Sequence, residues 1–176
     1  INDFLTAFSI LLKPNGVATF EFPHLLNLVQ KKQFDTIYHE HYSYLSLTSI
    51  TTIFDKCGLS IFDVEEIRTH GGSLRVYAQR SDTGKHLLEE SIANLMEKEN
   101  LSGMKELNFY QGFQEKTEKI KIDLLEFLIK AKKNGKKVAA YGAAAKGNTI
   151  LNFSGIRPDL LPYIVDKNNA KIGKLM

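Results

Sequence analysis

The sequence predicts a mixed α/β fold in three parts, over residues 1–80, 81–134 and 135–176. In the first part, short apolar runs typical of strands alternate with stretches of helical periodicity. The second part is rich in Glu, Lys and Leu and contains no proline, which favours a helical linker. The third part places a run of small residues between a short strand and a helix, as β-α-β units do. We therefore expect two α/β segments that are joined by helices.

Helices and strands alternate along the first part. Apolar residues recur at helical spacing in three stretches, namely 2–12, 24–32 and 46–56. Apolar and β-branched runs predict three strands, over residues 17–22, 59–67 and 73–79. Ser46 or Thr48 is a suitable cap for the third helix, and Gly71-Gly72 permits a tight turn between the last two strands. This order predicts an antiparallel hairpin in an open sheet with an antiparallel edge strand.

The rest of the chain predicts three helices and two strands. They follow in the order helix, helix, strand, helix, strand, over residues 84–99, 105–133, 137–141, 144–152 and 161–165. The long second helix carries an apolar stripe, and its polar face of Lys and Glu is typical of a solvated surface. Asn134-Gly135 ends that helix. The last three elements form a β-α-β pattern.

Composition restricts the functions that this chain can have. A hydrophobic content of 43% and a charged content of 24% are ordinary for one large globular domain or two small ones. A formal net charge of +3 is too small to indicate nucleic-acid binding, and no apolar run is long enough for a membrane span. Cys57 is the single cysteine, so an internal disulfide is excluded and a cytoplasmic location is the simplest interpretation. The chain begins at Ile1, not Met, and we expect it to be part of a longer protein.

The segment Tyr38-His39-Glu40-His41-Tyr42 is the first candidate for chemistry. A histidine near neutral pKa can remove a proton from a carbon next to a carbonyl group. A neighbouring carboxylate can fix the tautomer of that histidine, and a tyrosine hydroxyl can hydrogen-bond a substrate or a developing enolate. Two other interpretations stay open: an ordinary surface loop, or a metal site that contains His39 and His41. The metal site is weakly supported because zinc takes three or four protein ligands and no second cluster matches.

The second candidate is the run from Tyr141 to Thr149, which follows a predicted strand and opens a helix. Its Gly142 to Gly147 portion is a G-x-A-x-x-G pattern, a loose form of the dinucleotide fingerprint. Small residues let backbone amides approach a phosphate, and the helix N-terminus favours an anion. Asp166 ends the next strand, where a carboxylate often meets a ribose. A tight strand-to-helix turn without a ligand explains the pattern equally well.

Together these motifs resemble the S-adenosylmethionine-dependent C-methyltransferases that act on nucleotide-linked keto-deoxysugars. The stretch Leu11-Leu12-Lys13-Pro14-Asn15-Gly16-Val17 is similar to the segment just before the fifth strand of class I methyltransferases. Residues 33–46, which contain the Tyr-His-Glu-His string, resemble the active-site segment of the sugar C-methyltransferases. The similarity continues through residues 71–77, 141–149 and 166–174.

The resemblance implies how the three parts are used. Residues 1–80 would be the C-terminal half of a class I methyltransferase domain, 81–134 a helical linker, and 135–176 the start of a Rossmann-like domain that binds the nucleotide sugar. S-adenosylmethionine would be bound mainly by residues outside this chain, since no glycine-rich loop of the methyl-donor type is present. Zinc would belong to a small N-terminal domain that is also outside it, and we assign no metal ligand here.

The resemblance also implies roles for single residues. His41 would be the base, Glu40 would orient or polarise it, and Tyr38 would hydrogen-bond the substrate or the imidazole. The sequence does not distinguish His41 from His39 as the base. The predicted sugar-nucleotide contacts are Gly142, Ala143, Ala144, Lys146, Gly147, Asn148 and Asp166.

Two other functions compete with this prediction. The G-x-A-x-x-G pattern alone would suit a non-catalytic nucleotide- or dinucleotide-binding module, which leaves the Tyr-His-Glu-His string unexplained. An interaction domain built around the long helix would need a wide exposed apolar face, and the predicted stripe is only wide enough to be buried. The sugar, the nucleotide base, the methylated carbon and the oligomeric state are left open, with a monomer as the working assumption.

Overall fold

The computed structural model describes residues 1–174, so Leu175 and Met176 of the predicted third part lie outside the described residues. The chain divides into two compact units. Unit 1 comprises Ile1–Lys31 and Ser43–Gln111, and unit 2 comprises Lys32–Tyr42 and Gly112–Met176. The predicted mixed α/β class is confirmed, and each unit contains helices and a small sheet. The boundaries of the three predicted parts stay a prediction.

Unit 1 is built on a three-stranded sheet. Its strands are β1 (Val17–Pro23), β2 (Leu59–Ile67) and β3 (Ser73–Arg80), and their order across the sheet is β1-β3-β2. β3 is antiparallel to both neighbours, so the predicted hairpin of β2 and β3 is confirmed. The two edge strands among these three, β1 and β2, both pair antiparallel with the central strand β3, in agreement with the predicted antiparallel edge strand. The hairpin places β3 beside β2, and the other edge of β3 pairs with β1.

The turn of this hairpin depends on glycine. Gly72 has a φ of +123°, a conformation that L side chains rarely adopt, and a Cβ atom built there would lie 2.7 Å from Nδ2 of Asn27. The turn also brings strand and helix together, since the N–H of His24 donates to the Gly72 carbonyl oxygen at 3.1 Å. Gly72, one of the two glycines singled out from the sequence, therefore has a structural role.

The described part of unit 1 contains four α-helices, and their bounds are α1 (Asn2–Leu11), α2 (Leu25–Gln30), α3 (Leu47–Lys56) and α4 (Glu90–Leu101). Ser46 is the cap of α3, as predicted, and forms a capping box with Ser49. The core is formed by apolar side chains of the sheet and of α1, α3 and α4, including Leu5, Leu47, Ile50, Phe54, Leu59, Leu74, Val76 and Leu95. Leu74, Val76 and Ala78 alternate along β3 and are fully buried, which fixes the face that the sheet presents to these helices.

Unit 2 contains the predicted β-α-β pattern. Its elements are α5 (Phe113–Lys133), β4 (Ala140–Tyr141), α6 (Ala145–Ser154) and β5 (Ile164–Val165). β4 and β5 pair in parallel, and α6 connects them. Both strands are shorter than the sequence predicted.

The predicted helix starts in the linker are too early. Gly112 has a φ of +70°, which a right-handed helix cannot include, so the long helix begins at Phe113 and not at Lys105. Helix α4 begins at Glu90 and not near residue 84. The Gln79 side-chain amide donates to the carbonyl oxygen of His86 and accepts the N–H of His86. These bonds hold the residues before α4 outside the helix. No helix within residues 1–174 combines the length and apolarity needed to cross a membrane.

Candidate functional site

The Tyr-His-Glu-His string forms a tight turn in unit 2. The backbone N–H of His41 donates to the carbonyl oxygen of Tyr38 at 3.0 Å, a bond between residues i and i+3. Such a turn brings its first and last residues together and leaves the middle two at the tip. Accordingly, Tyr38 and His41 are half-buried, whereas His39 and Glu40 are exposed.

His41 is held by the backbone just before the turn. Its Nδ1 lies 2.8 Å from the carbonyl oxygen of Thr36 and 3.2 Å from the Thr36 hydroxyl oxygen. The ring of Tyr38 lies against the imidazole, with 4.1 Å between ring centroids and 35° between planes. His41 therefore has a fixed position and a fixed ring plane.

Glu40 makes no hydrogen bond to His41 in the structure, although the sequence predicted that it orients or polarises that histidine. Its side chain is exposed and has no hydrogen-bond partner within residues 1–174, so the group that orients His41 in this state is Thr36. The predicted role of Glu40 stays a prediction and would have to involve the substrate. His39 contacts the ring of Tyr42 at 6.1 Å, at the exposed end of the turn.

Helix α6 anchors this turn. Phe34 and Thr36 belong to a short 3₁₀ helix, and the buried ring of Phe34 packs against Phe153 with centroids 5.0 Å apart. Lys121 of α5 lies over the other ring of that pair, 5.4 Å from the Phe153 centroid. The His41 turn and the helix that follows Gly142 are thus connected inside one compact unit.

The loop after β4 has a backbone shape that suits close approach of a ligand. Gly142 has a φ of +96°, and a Cβ atom added there would meet nothing within 4 Å. Its N–H donates to the carbonyl oxygen of Val165 at 2.7 Å, which ties the loop to β5. Ala144 is the N-cap residue of α6 and makes no side-chain cap bond, so no side chain competes there with an anion for the first amides of the helix.

Asp166 supports the same loop from the end of β5. One oxygen of its carboxylate accepts the N–H of Ala143 at 2.8 Å, and the other accepts the N–H of Asn168 at 2.8 Å. Lys171 pairs with Asp166 at 3.2 Å and also donates to the Ala143 carbonyl oxygen. The Asn168 amide, then Lys171 and the Ala143 amide, hold the pKa of Asp166 below its usual value.

The predicted sugar-nucleotide residues thus fall into two groups. Gly142, Ala143 and Asp166 are brought together by hydrogen bonds, whereas Lys146 and Gly147 lie in the first turn of α6 and are half-buried. The side chain of Asn148 accepts a hydrogen bond from Asn152 at 2.9 Å. The contact of Asp166 with a ribose stays a prediction, and the structure adds a role in bracing the loop.

Unit 1 contains a polar cluster that the sequence did not indicate. Glu99 of α4 is 1% exposed, and His24, before α2, is fully buried. The Nε2 of His24 lies 2.7 Å from Oε1 of Glu99. The same carboxylate accepts the backbone N–H groups of Leu47 and Thr48, at 2.7 and 2.9 Å, and the Thr48 hydroxyl at 2.6 Å. Glu99 therefore caps the N-terminus of α3 from another helix.

This arrangement explains two pKa shifts. Burial pushes the pKa of Glu99 upward, but the hydrogen bonds from His24, Thr48 and Leu47 outweigh burial and hold that pKa below its usual value. Burial, with the nearby charge of Glu99, raises the pKa of Tyr110. Tyr110 and Glu99 line a cavity of about 230 Å³, together with Tyr44, Ser49 and Lys105. Four hydrogen bonds from His24, Leu47 and Thr48 engage both carboxylate oxygens of Glu99, so we interpret the cluster as structural.

No group of three or more His, Cys, Asp or Glu side chains in the described part of the chain is arranged to hold a metal ion. The alternative in which His39 and His41 bind a metal gains no support from this arrangement.

Comparison with known proteins bears on both units. Residues 68–176 match the family model of the C-methyltransferase C-terminal domain. Over all 176 residues the chain is 35% identical to C-methyltransferase NovU of Streptomyces niveus, and it covers 42% of the length of that protein. The chain therefore spans about two fifths of this curated relative.

Proposed function

Because this chain belongs to the C-methyltransferase C-terminal domain family, we propose that it is part of an S-adenosylmethionine-dependent C-methyltransferase. Its substrate would be a nucleotide-linked deoxysugar with a keto group next to the carbon that is methylated. The family and the relative support carbon methylation, and the resemblance of the motifs supports the sugar nucleotide. The activity is that of the longer protein of which this chain would be a part.

The arrangement of His41 carries the proposal. A general base needs a defined position and an unprotonated nitrogen that a substrate can reach. His41 is bonded through Nδ1 to Thr36 and is only half-buried, and Nε2 has no hydrogen-bond partner within residues 1–174. The Nε2 lone pair is therefore the proton acceptor in this proposal.

In the proposed reaction, His41 first removes a proton from the substrate. Nε2 of His41 takes the proton from the carbon next to the ketone, the C–H bond breaks, and its electron pair moves to the ketone oxygen to give an enolate. The Thr36 carbonyl oxygen and the Tyr38 ring face stabilise the imidazolium that forms, because both carry negative partial charge towards it. The enolate carbon is then the nucleophile for the methyl group.

The loop from Gly142 to Asn148 is the proposed binding place for the diphosphate. The open space at Gly142 and the amides of the first turn of α6 favour an anion, and Lys146 adds a positive charge in that turn. Asp166 and Lys171 hold Ala143 in position. Diphosphate binding there would place the nucleotide sugar on the helix that anchors the His41 turn.

The methyl donor is not assigned to residues of this chain. In the described part of unit 1, no helix follows directly on a glycine-rich turn. When bound elsewhere in the longer protein, S-adenosylmethionine would supply an electrophilic methyl group. The zinc of an N-terminal domain, a cytoplasmic location and a monomeric state stay predictions.

The direct test is incubation of the full-length protein with labelled methyl donor and a panel of keto and non-keto sugar nucleotides. The expected result is label on a ring carbon of a keto-sugar nucleotide. Label on no sugar nucleotide, with transfer instead to an unrelated acceptor, would contradict the proposed substrate class.

A non-catalytic nucleotide-binding module is the other candidate, and the β4-α6-β5 unit alone would suit it. Thermal shift with NAD, S-adenosylmethionine and thymidine diphosphate separates the two. Stabilisation by NAD alone would favour the binding module, whereas stabilisation by the nucleoside diphosphate is expected for the methyltransferase.

A further inference from the structure

We propose that the backbone carbonyl of Thr36 selects the tautomer of His41 in which Nδ1 carries the proton and Nε2 is unprotonated. Thr36 is then a positioning residue for the reaction. This inference rests on the proposed function for its catalytic meaning, but the tautomer itself can be measured without any activity.

The bond from His41 to the Thr36 carbonyl requires a proton on Nδ1. A carbonyl oxygen has no hydrogen and can only accept. The 2.8 Å contact between the Thr36 oxygen and His41 Nδ1 is therefore a hydrogen bond only when Nδ1 carries the proton. In a neutral imidazole the other nitrogen, Nε2, is then unprotonated.

The Thr36 carbonyl is itself held in place. The N–H of Thr36 donates to the Gln33 carbonyl oxygen at 3.2 Å, and the N–H of Ile37 donates to that of Phe34 at 2.9 Å. These bonds form the 3₁₀ helix over Phe34–Thr36, which the buried Phe34 ring fixes against α6. The orientation of the Thr36 oxygen is therefore set by the fold and does not depend on a mobile side chain.

His39 lies in different surroundings from His41. Its imidazole is exposed at the tip of the turn and has no hydrogen-bond partner within residues 1–174. Nothing in its surroundings favours one tautomer, so it would exchange between both forms in solution. The two histidines are only two positions apart in sequence but differ in whether their proton position is fixed.

The tautomers can be measured by long-range nitrogen–proton NMR on the full-length protein labelled at the histidine ring nitrogens. His41→Asn and His39→Asn variants assign the two signals. The expected result is an unprotonated Nε2 on His41 and an averaged pair of nitrogens on His39. An Nε2-protonated or averaged His41 would overturn the inference.

A matched pair of variants at Ile37 tests whether the turn controls the tautomer. Ile37→Pro removes the N–H that closes the 3₁₀ helix and disfavours the helical conformation of Thr36, whereas Ile37→Ala keeps both. Ile37 is exposed, so neither change removes a core contact. In Ile37→Pro we expect mixed His41 tautomers and a kcat about 10- to 100-fold lower, the range for partners that orient metal-bound histidines.

The controls separate this inference from the proposed function. Ile37→Ala should keep the wild-type tautomer and kcat, and circular dichroism should show that Ile37→Pro is folded. If Ile37→Pro keeps the single His41 tautomer, the Thr36 carbonyl is not what selects it and the inference fails. If His41 has the expected tautomer but the protein methylates no keto-sugar nucleotide, the proposed function fails and the structural inference holds.

Discussion

Two histidines in this chain make the same kind of contact in two different surroundings. His24 in unit 1 and His41 in unit 2 each bond to one oxygen acceptor, Glu99 and Thr36 respectively, at 2.7 and 2.8 Å. The second nitrogen of His24, Nδ1, is buried and has no hydrogen-bond partner among residues 1–174, whereas the His41 side chain is only half-buried. A fixed histidine can do chemistry only when its second nitrogen is accessible, so the first is structural and the second is suited to proton transfer.

The two acceptors, Glu99 and Thr36, also differ in how many other groups depend on them. Glu99 is a buried carboxylate that joins α2, α3 and α4, so its loss would leave several donors without an acceptor. Thr36 contacts His41 Nδ1 through its backbone oxygen at 2.8 Å and its hydroxyl oxygen at 3.2 Å. The comparison therefore predicts that changes near His24 reduce stability, while changes at His41 reduce turnover.

The largest expected effect is on turnover at His41. His41→Asn in the full-length protein should lower kcat about 10²–10⁴-fold, the usual contribution of a general base. The melting temperature and the affinity for the methyl donor should stay near wild type, because the side chain is only half-buried. His39→Asn is the matched control and should retain activity. An equal loss of kcat in His41→Asn and His39→Asn would contradict the assignment of His41 as the base.

The second effect is on stability at Glu99. Glu99→Ala removes one member of a buried pair and should lower the free energy of unfolding by about 3–5 kcal/mol. Glu97→Ala, on the exposed face of the same helix, should change it by no more than about 0.5 kcal/mol. Urea denaturation measures both. If Glu99→Ala were as stable as Glu97→Ala, the structural role proposed for the His24–Glu99 cluster would be wrong.

A smaller effect is expected for substrate affinity at Lys146. Lys146→Ala should weaken sugar-nucleotide binding by about 1.5–3 kcal/mol, the value of a hydrogen bond to a charged group, and change kcat less. Lys136→Ala removes the same charge from an exposed position and is the control. Titration calorimetry measures both affinities. Equal affinities for Lys146→Ala and Lys136→Ala would contradict the diphosphate assignment.

The smallest effect is the pH dependence of the Glu99 contribution. The pKa of Glu99 is lowered from its usual value of 4.5, so its stabilisation is complete above that pH and is lost as the pH falls through the lower folded value. The stability difference between wild type and Glu99→Gln should therefore narrow in acid, by at most about 1.4 kcal/mol per pH unit for one proton. Thermal melts from neutral pH downward measure the difference. A difference that widens in acid would mean that the folded pKa is raised.

Local signals in the sequence predicted the elements that depend on near neighbours. The Gly71-Gly72 turn predicted the hairpin, Ser46 predicted the start of α3, and the small residues after Tyr141 predicted the turn into α6. Element ends were less predictable. The left-handed backbone of Gly112, which moves the start of α5, is one of several conformations open to any glycine.

Long-range and backbone contacts could not be predicted from the residue types. The partner of His24 is 75 residues away, and Glu99 lies among other acidic residues of a helix whose surface looks solvated. The sequence offered one signal of this burial: Glu99 stands one helical turn after Leu95, at a position of α4 that faces the core. The partner of His41 is a main-chain carbonyl, which every residue has, so the sequence favoured the adjacent Glu40 instead.

Deuterium exchange at the substrate carbon tests the role of His41 most directly, because it follows proton removal without methyl transfer. The full-length protein is incubated in D₂O with its keto-sugar nucleotide and no methyl donor. Wild type and His39→Asn should place deuterium on the carbon next to the ketone, and His41→Asn should do so about 10²–10⁴-fold more slowly. Exchange by His41→Asn at the wild-type rate would show that another group removes the proton.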